Sequence, residues 1–247
     1  MTSVAIVTGS AGGIGRGYSI ALAADGHAVV VADLNLAGAE ETVELIRAAG
    51  GEAIASETDI ASRVSARALA DKVRETYGRL DILVNNAAFF RGIKLVRAID
   101  ADLDYWRKLF HVNVEGTLNV TQALVGLMRE TGGGRIVNQG SSGAYMGGSD
   151  PYSLCKATVS MLTVGLAGDL GPDNITVNAI APGPVPTEAL SGHVSDELLA
   201  MMVERTPISR PGRIEDMVNA LRFLVSPESG WVTGQTIVVD GGLIKRF

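Results

Sequence analysis

Only one cysteine, Cys155, stands in 247 residues, so no internal disulfide can form. That fits a reducing compartment. Histidine is nearly as scarce. His27, His111 and His193 are the full set, and none stands at metal-ligand spacing from a cysteine or an acid, so no metal is expected. No run of about 18 apolar residues occurs, which argues against a membrane-spanning helix. The opening MTSVAIVTGS lacks the basic region of a signal peptide, and a cytoplasmic protein is expected. The formal net charge is −6 with no block of like charge, whereas a nucleic-acid or anionic-membrane surface wants clustered Lys and Arg. No glycine-rich turn ends in Gly-Lys-Ser/Thr, so a nucleotide triphosphatase loop is not expected. Around Ser141 the run GSSG (140–143) lacks the spacing of a hydrolase nucleophile elbow.

What is present is a regular alternation. Hydrophobic residues make up 47%, enough for a sizeable core, and α/β chains of this length often form one domain. VAIVT (4–8), AVVVAD (28–33), EAIASE (52–57), DILVN (81–85), RIVNQ (135–139), ITVNAI (175–180) and TIVVD (236–240) read as strands. They are apolar on both faces, as a buried parallel sheet requires. Helical stretches lie between them. One ends at Gly50–Gly51, one is capped by Ser62 and stopped by Gly78, and longer ones are predicted over about 102–130 and 151–170. The expectation is a single Rossmann-type domain over 1–247: a doubly wound α/β fold with a seven-stranded, mainly parallel sheet and helices on both faces. Residues 181–212 break the rhythm with prolines and a short helix near 196–204. Such a segment after a strand end reads as a substrate lid at about 183–212, with a surface insertion as the alternative.

The first strand-to-helix turn, TGSAGGIG, carries Gly9, Gly12, Gly13 and Gly15. Glycine permits tight turning and close approach, and the helix after it aims free N–H groups at an anion. A pyrophosphate suits that place. The second strand ends in Asp33, which can accept hydrogen bonds from ribose hydroxyls and would repel a 2′-phosphate. No Arg or Lys stands at Ser10, Ala11, Gly12, Leu34 or Asn35 to offset it, so NAD is expected over NADP. Asp33 as a simple turn residue is the alternative.

In YSLCK (152–156) Tyr152 and Lys156 stand four apart, one turn along the same helical face. Chance alone gives such a pair somewhere in roughly one chain in ten of this composition, so the spacing by itself decides nothing.

Together these residues resemble the classical short-chain dehydrogenase/reductase family along nearly the whole chain. The resemblance rests on TGSAGGIG (8–15), Asp59, NNAA (85–88), the NVEG that begins at Asn113, GRIVNQGS ending at Ser141, YSLCK, NAIAPGPVPT (178–187) and TGQTIVVDGG (233–242). It implies hydride transfer between nicotinamide C4 and a carbonyl or alcohol carbon, with Asn113, Ser141, Tyr152 and Lys156 as the catalytic set. Tyr152 would be the general acid/base, Ser141 would orient the substrate oxygen, and Asn113 would hold a water linking Lys156 to solvent. Lys156 would also hold the nicotinamide ribose. Together with the cationic nicotinamide it would lower the phenol's pKa, where a drop of ~3 asks for about 4 kcal/mol. Cofactor contacts would come from Gly9, Ser10, Gly13, Ile14, Gly15, Asp33, Leu34, Asp59, Ile60, Asn85, Asn86, Tyr152, Lys156, Pro182, Gly183, Val185 and Thr187. Asp59 and Ile60 would flank adenine, Asn85 and Asn86 would line the ribose side, and Val185 and Thr187 would reach the carboxamide. Two departures matter. Ala88 replaces the family's usual glycine, and the stretch from Ser141 to Tyr152 is short, which leaves Ser142 as a competing catalytic serine.

Phe89, Phe90, Tyr145 and Met146, with Leu190, Met201 and Met202 on the lid, suggest a hydrophobic secondary alcohol or ketone as substrate. A ketoreductase of carrier-bound acyl groups is an alternative, weakened by Asp173 although Arg129 remains. A catalytically idle dinucleotide sensor is another. The family forms dimers or tetramers through its long helices, so a homotetramer is expected, with a dimer or monomer as alternatives.

Overall fold

The computed structural model describes residues 2–94, 96–191 and 196–245. Seven strands form one sheet: β1 (Val4–Thr8), β2 (Ala28–Asp33), β3 (Ala53–Glu57), β4 (Ile82–Asn85), β5 (Gly134–Gln139), β6 (Ile175–Pro182) and β7 (Thr236–Val239). Their order is β3-β2-β1-β4-β5-β6-β7, and every pairing is parallel, so "mainly parallel" sharpens to wholly parallel. The helices are α1 (Gly13–Ala24), α2 (Leu36–Ala48), α3 (Arg63–Tyr77), α4 (Leu103–Phe110), α5 (Gly116–Glu130), α6 (Pro151–Leu170), α7 (Glu188–Ser191), α8 (Asp196–Glu204) and α9 (Ile214–Val225).

Strand side chains alternate between two cores, which is why the strands read apolar on both faces. Ile6, Val30, Leu83, Ile136 and Val177 pack under α3, α5 and α6. Val7, Val29, Val31, Val84 and Val137 pack under α1, α2 and α9. Local signals set the helix ends. The Ser62 hydroxyl accepts from Ser65 N at 3.3 Å to start α3, and Gly78 ends it at φ +67°.

The helix predicted over about 102–130 is not uniform. Asp102 caps α4, but His111–Glu115 forms one π turn before α5 continues. A π turn holds one residue more than an α turn and marks a local constraint, frequently at a functional site. The segment predicted as a lid contains α7 and α8, while its residues 192–195, His193 among them, lie outside the described residues.

β1 is flanked by β2 on one side and β4 on the other, so the order of strands reverses there. In open α/β sheets, ligands bind at the carboxyl ends of strands beside that reversal.

Candidate active site

A cavity of about 1320 Å³ opens over those strand ends, walled by the segments that follow β1 through β6. Its floor starts at the glycine turn. Gly9 sits at φ +64°, and a Cβ there would come within 2.6 Å of Ala87 Cα. A Cβ on Gly15 would overlap the Gly9 carbonyl. Both positions therefore demand glycine, and the amide end of α1 stays open to the cavity. The Asn86 amide knits this turn to β4 by donating to the carbonyls of Thr8 and Gly9, both at 2.9 Å. Gly13 lies under Thr187, whose side chain would be 3.8 Å from an added Cβ, so the root of the predicted lid covers the turn.

Asp33 accepts from Ala11 N and Asn35 N, each at 2.9 Å, which fixes its carboxylate beside the turn. Asp59 also lines this end, along with Leu34 and Ile60, and among the described residues no cationic side chain does. Arg16 is close in the fold, a position outside those considered from sequence. Its guanidinium is held by Glu41 at 3.0 Å, Thr42 at 2.9 Å and the carbonyls of Ala11 and Gly38.

Two expected cofactor contacts face elsewhere. Ser10 is fully buried, does not line the cavity, and donates to Val7 O at 2.7 Å. Asn85 is buried below the sheet end, donating to Thr121 Oγ1 at 3.0 Å and Asn138 Oδ1 at 2.9 Å. It belongs to the frame and not to the ribose side. Gly13, Ile14, Pro182, Gly183 and Val185 line the cavity as expected. Gly183 is also forced by packing, since a Cβ would come within 2.7 Å of Asp240 Cβ.

The opposite wall carries the titratable pair. Asp150 caps α6 by accepting from Ser153 N at 2.9 Å, and Pro151 is its first residue. Tyr152 and Lys156 thus sit in the first two turns and face the cavity together. The Ser141 hydroxyl lies near the Tyr152 hydroxyl and favours its ionisation. Ser141 Oγ in turn accepts from Gly143 N at 3.1 Å, which orients it. Ser142 also lines the cavity but is 4% exposed, and Ser141 is the serine that acts on the Tyr152 hydroxyl. Burial holds the Tyr152 pKa above its ordinary value, Cys155 and Asp150 add to this, and Ser141 opposes it.

Lys156 is 2% exposed, and its ammonium donates to Gln139 O at 2.7 Å. It stands 5.8 Å from the centre of the Tyr152 ring. Burial lowers its pKa to about 8, with Cys155 opposing. Cys155 itself is pushed up to about 12 by burial, so it stays a thiol at neutral pH.

Asn113 sits in the π turn and is buried. Its side chain clasps the backbone of Phe89, accepting from the N–H at 2.8 Å and donating to the carbonyl at 3.3 Å. This amide fixes the aromatic wall, and one donor and one acceptor position on it remain for other partners. Phe90 meets Tyr152 with ring centres 5.2 Å apart. Met146, Leu190, Met201 and Met202 line the same end, but Tyr145 does not; its hydroxyl donates to Ser160 at 3.0 Å. Sequence reading missed Lys108, Arg91, Leu198 and Arg205 on this wall. They come from separate elements, and no local spacing joins them.

Comparison with known proteins agrees with this geometry. Residues 9–244 match the family model described as Enoyl-(Acyl carrier protein) reductase. An uncharacterized oxidoreductase of Mycobacterium tuberculosis is 45% identical over 99% of this chain and 98% of its own. A solved 7 alpha-hydroxysteroid dehydrogenase, complexed with NADH and 7-oxo glycochenodeoxycholic acid, superposes with a TM-score of 0.93 at 36% identity, covering 99% of this chain and 95% of that one. A gluconate 5-dehydrogenase from Burkholderia cenocepacia, in complex with NADP and tartrate, gives a TM-score of 0.92 at 33% identity over 99% and 96% of the two chains.

Proposed function

The chain belongs to the short-chain dehydrogenase/reductase family of oxidoreductases, and from that premise we propose that it is an NAD-dependent dehydrogenase or reductase acting on a hydrophobic secondary alcohol or ketone. The observation that carries the reading is the placing of Ser141, Tyr152 and buried Lys156 together on the wall of a cavity that runs back to the glycine turn, with the Lys156 ammonium 5.8 Å from the Tyr152 ring centre.

The residues present fit a dinucleotide. The turn is a cradle that side chains at Gly9 or Gly15 would fill, and the amide end of α1 suits a diphosphate. Asp33 has acceptor capacity left for ribose hydroxyls. The acidic, cation-free end of the cavity supports NAD over NADP. Bound nicotinamide would supply or accept the hydride and, when oxidised, one positive charge.

The chain's own residues handle the proton. In reduction, Tyr152 donates its hydroxyl proton to the forming alkoxide oxygen while Ser141 holds that oxygen. In oxidation the phenolate takes the alcohol's proton. Burial works against that phenolate, so the nearby positive charge of Lys156 has to offset it. Asn113, by fixing Phe89, sets the apolar wall against which the substrate lies.

The carrier-bound alternative wants free arginines, yet Arg129 is paired with Asp173 at 2.7 Å. An idle sensor would not need the Ser141–Tyr152–Lys156 set. We also place the protein in the cytoplasm as a homotetramer. α6 leaves Met161 and Val164 exposed near Gly165 and Gly168, where another helix can approach closely. Substitution Tyr152→Phe tests the main reading. NADH binding by fluorescence should persist while turnover of ketones falls at least ~100-fold. Turnover that survives the substitution would refute the assigned role.

A further inference from the structure

We propose that the substrate carries a carboxylate at the end remote from its reacting oxygen, and that Lys108 and Arg205 receive it at the outer part of the cavity. The proposal rests on the ketone or alcohol reading above and narrows its substrate class.

The wall near Tyr152 is apolar: Phe89, Phe90, Met146, Leu198, Met201 and Met202. A neutral hydrophobic substrate needs no more than that. Yet Lys108 on α4 and Arg205, just after α8, line the same cavity from different elements. Lys108 places its ammonium 4.5 Å from the centre of the Phe89 ring, so its position is held against the aromatic wall. Neither cation has a carboxylate at ion-pair distance among the described residues.

Arg63, Arg67, Arg135, Arg213 and the other lysines share that lack, but among the described residues only Lys108 and Arg205 combine it with exposure on the cavity wall. Ten arginines pair with Asp or Glu among the described residues, as expected where acids outnumber bases. Arg91, the third cation on this wall, is one of them, paired with Glu188 at 3.7 Å. Asp150, the acid nearest Tyr152, already caps α6. Lys108 and Arg205 therefore give the substrate end a local charge opposite to the molecule's net −6. Lys108 and Arg205 reach this largely apolar wall from separate parts of the fold. A hydrophobic acid, its carbonyl at Tyr152 and its carboxylate at the rim, matches both halves of the wall.

Three keto acids of different shape serve as probes: oxostearate, benzoylpropionate and dehydrocholate, each beside its methyl ester. Dissociation constants are measured by calorimetry with saturating NADH, for the wild-type protein, Lys108→Gln, Arg205→Gln and the double variant. At least one acid should bind about tenfold more tightly than its ester. That ratio should fall about threefold in each single variant and approach one in the double variant or in high salt. No preference for any acid, no acid binding at all, or a preference that survives the double variant would overturn the proposal. NADH oxidation on the same probes is read separately. Esters reduced without any acid preference leave the ketone reading standing and sink this one. An acid preference without turnover of any probe supports the anion site and counts against the ketone reading.

Discussion

Replacing Lys156 by methionine should change stability by an amount that depends steeply on pH. Lys156 is 2% exposed, and burial lowers its pKa from 10.5 to about 8. Below pH 8 both the folded and unfolded chains hold the proton, and the folded state bears the full penalty of a buried charge. The gap between 10.5 and about 8 corresponds to about 3 kcal/mol. Between those values the folded state releases its proton first, the unfolded state binds more protons, and stability rises with pH. Above 10.5 both are neutral and the penalty is gone. Wild type should therefore gain on the variant by about 1 kcal/mol from pH 7 to pH 9, and by about 2–3 kcal/mol at pH 10. Methionine is close in length and carries no proton. Losing the donor to Gln139 O shifts the variant by an amount that does not depend on pH. Tyr152 and Cys155 act in the opposite sense, because their raised pKa values make stability fall above pH 10 and pH 9 respectively; both are present in either protein, so most of that effect drops out of the difference, and what remains reflects their coupling to the Lys156 charge. Urea unfolding by circular dichroism at pH 7, 8, 9 and 10 reads the gap directly. A gap that stays constant across that range would show that the ammonium is not desolvated, and the electrostatic account of the site would fall with it.

The acidic end of the cavity makes a cofactor prediction. Asp33→Asn removes a charge that opposes a 2′-phosphate by about 2–3 kcal/mol, so the ratio of kcat/KM for NADPH to that for NADH should rise ~50-fold. An unchanged ratio would show that Asp33 does not face the ribose. For assembly, sedimentation at micromolar concentration should give a tetramer, and Met161→Lys with Val164→Lys should give a smaller species. A monomeric wild type would refute the contact proposed for α6.

The sheet was legible because a strand buried on both faces leaves a pattern that few other structures share. All seven predicted strands are present, with ends moved by no more than two residues; β6, for instance, runs on to Pro182. α6 was legible at both ends because Asp150 and Pro151 start it and Gly171 follows it. The π turn was not legible. Nothing in HVNVE signals an extra residue, since the turn accompanies a bond from Asn113 to Phe89, 24 positions away. The same limit explains Asn85. Motif matching treats Asn85 and Asn86 as a unit, but successive residues at a strand end point to opposite sides. Asn86 reaches the glycine turn, and Asn85 enters the polar cluster with Thr121 and Asn138.

The residues carried over from the family thus divide into two groups that sequence alone cannot separate. Ser10 and Asn113 bond to the backbone, Asn85 donates to Thr121 and Asn138 while its Oδ1 is buried with no partner among the described residues, and Gly15 and Gly183 are required by close packing. They hold the frame in register. Asp33, Ser141, Tyr152 and Lys156 keep polar groups directed at the cavity. The electrostatics of the cavity follow from this division. At the glycine end, attraction for an anion comes from backbone N–H groups and the helix dipole, with two carboxylates and, among the described residues, no cation alongside. At the other end it comes from two exposed side-chain charges on Lys108 and Arg205. Fixed dipoles suit a ligand held in one pose at every turnover. Charges exposed to solvent suit one that enters and leaves. Tyr152 lies where these two regimes meet, and that is where a proton has to pass between a permanent partner and a transient one.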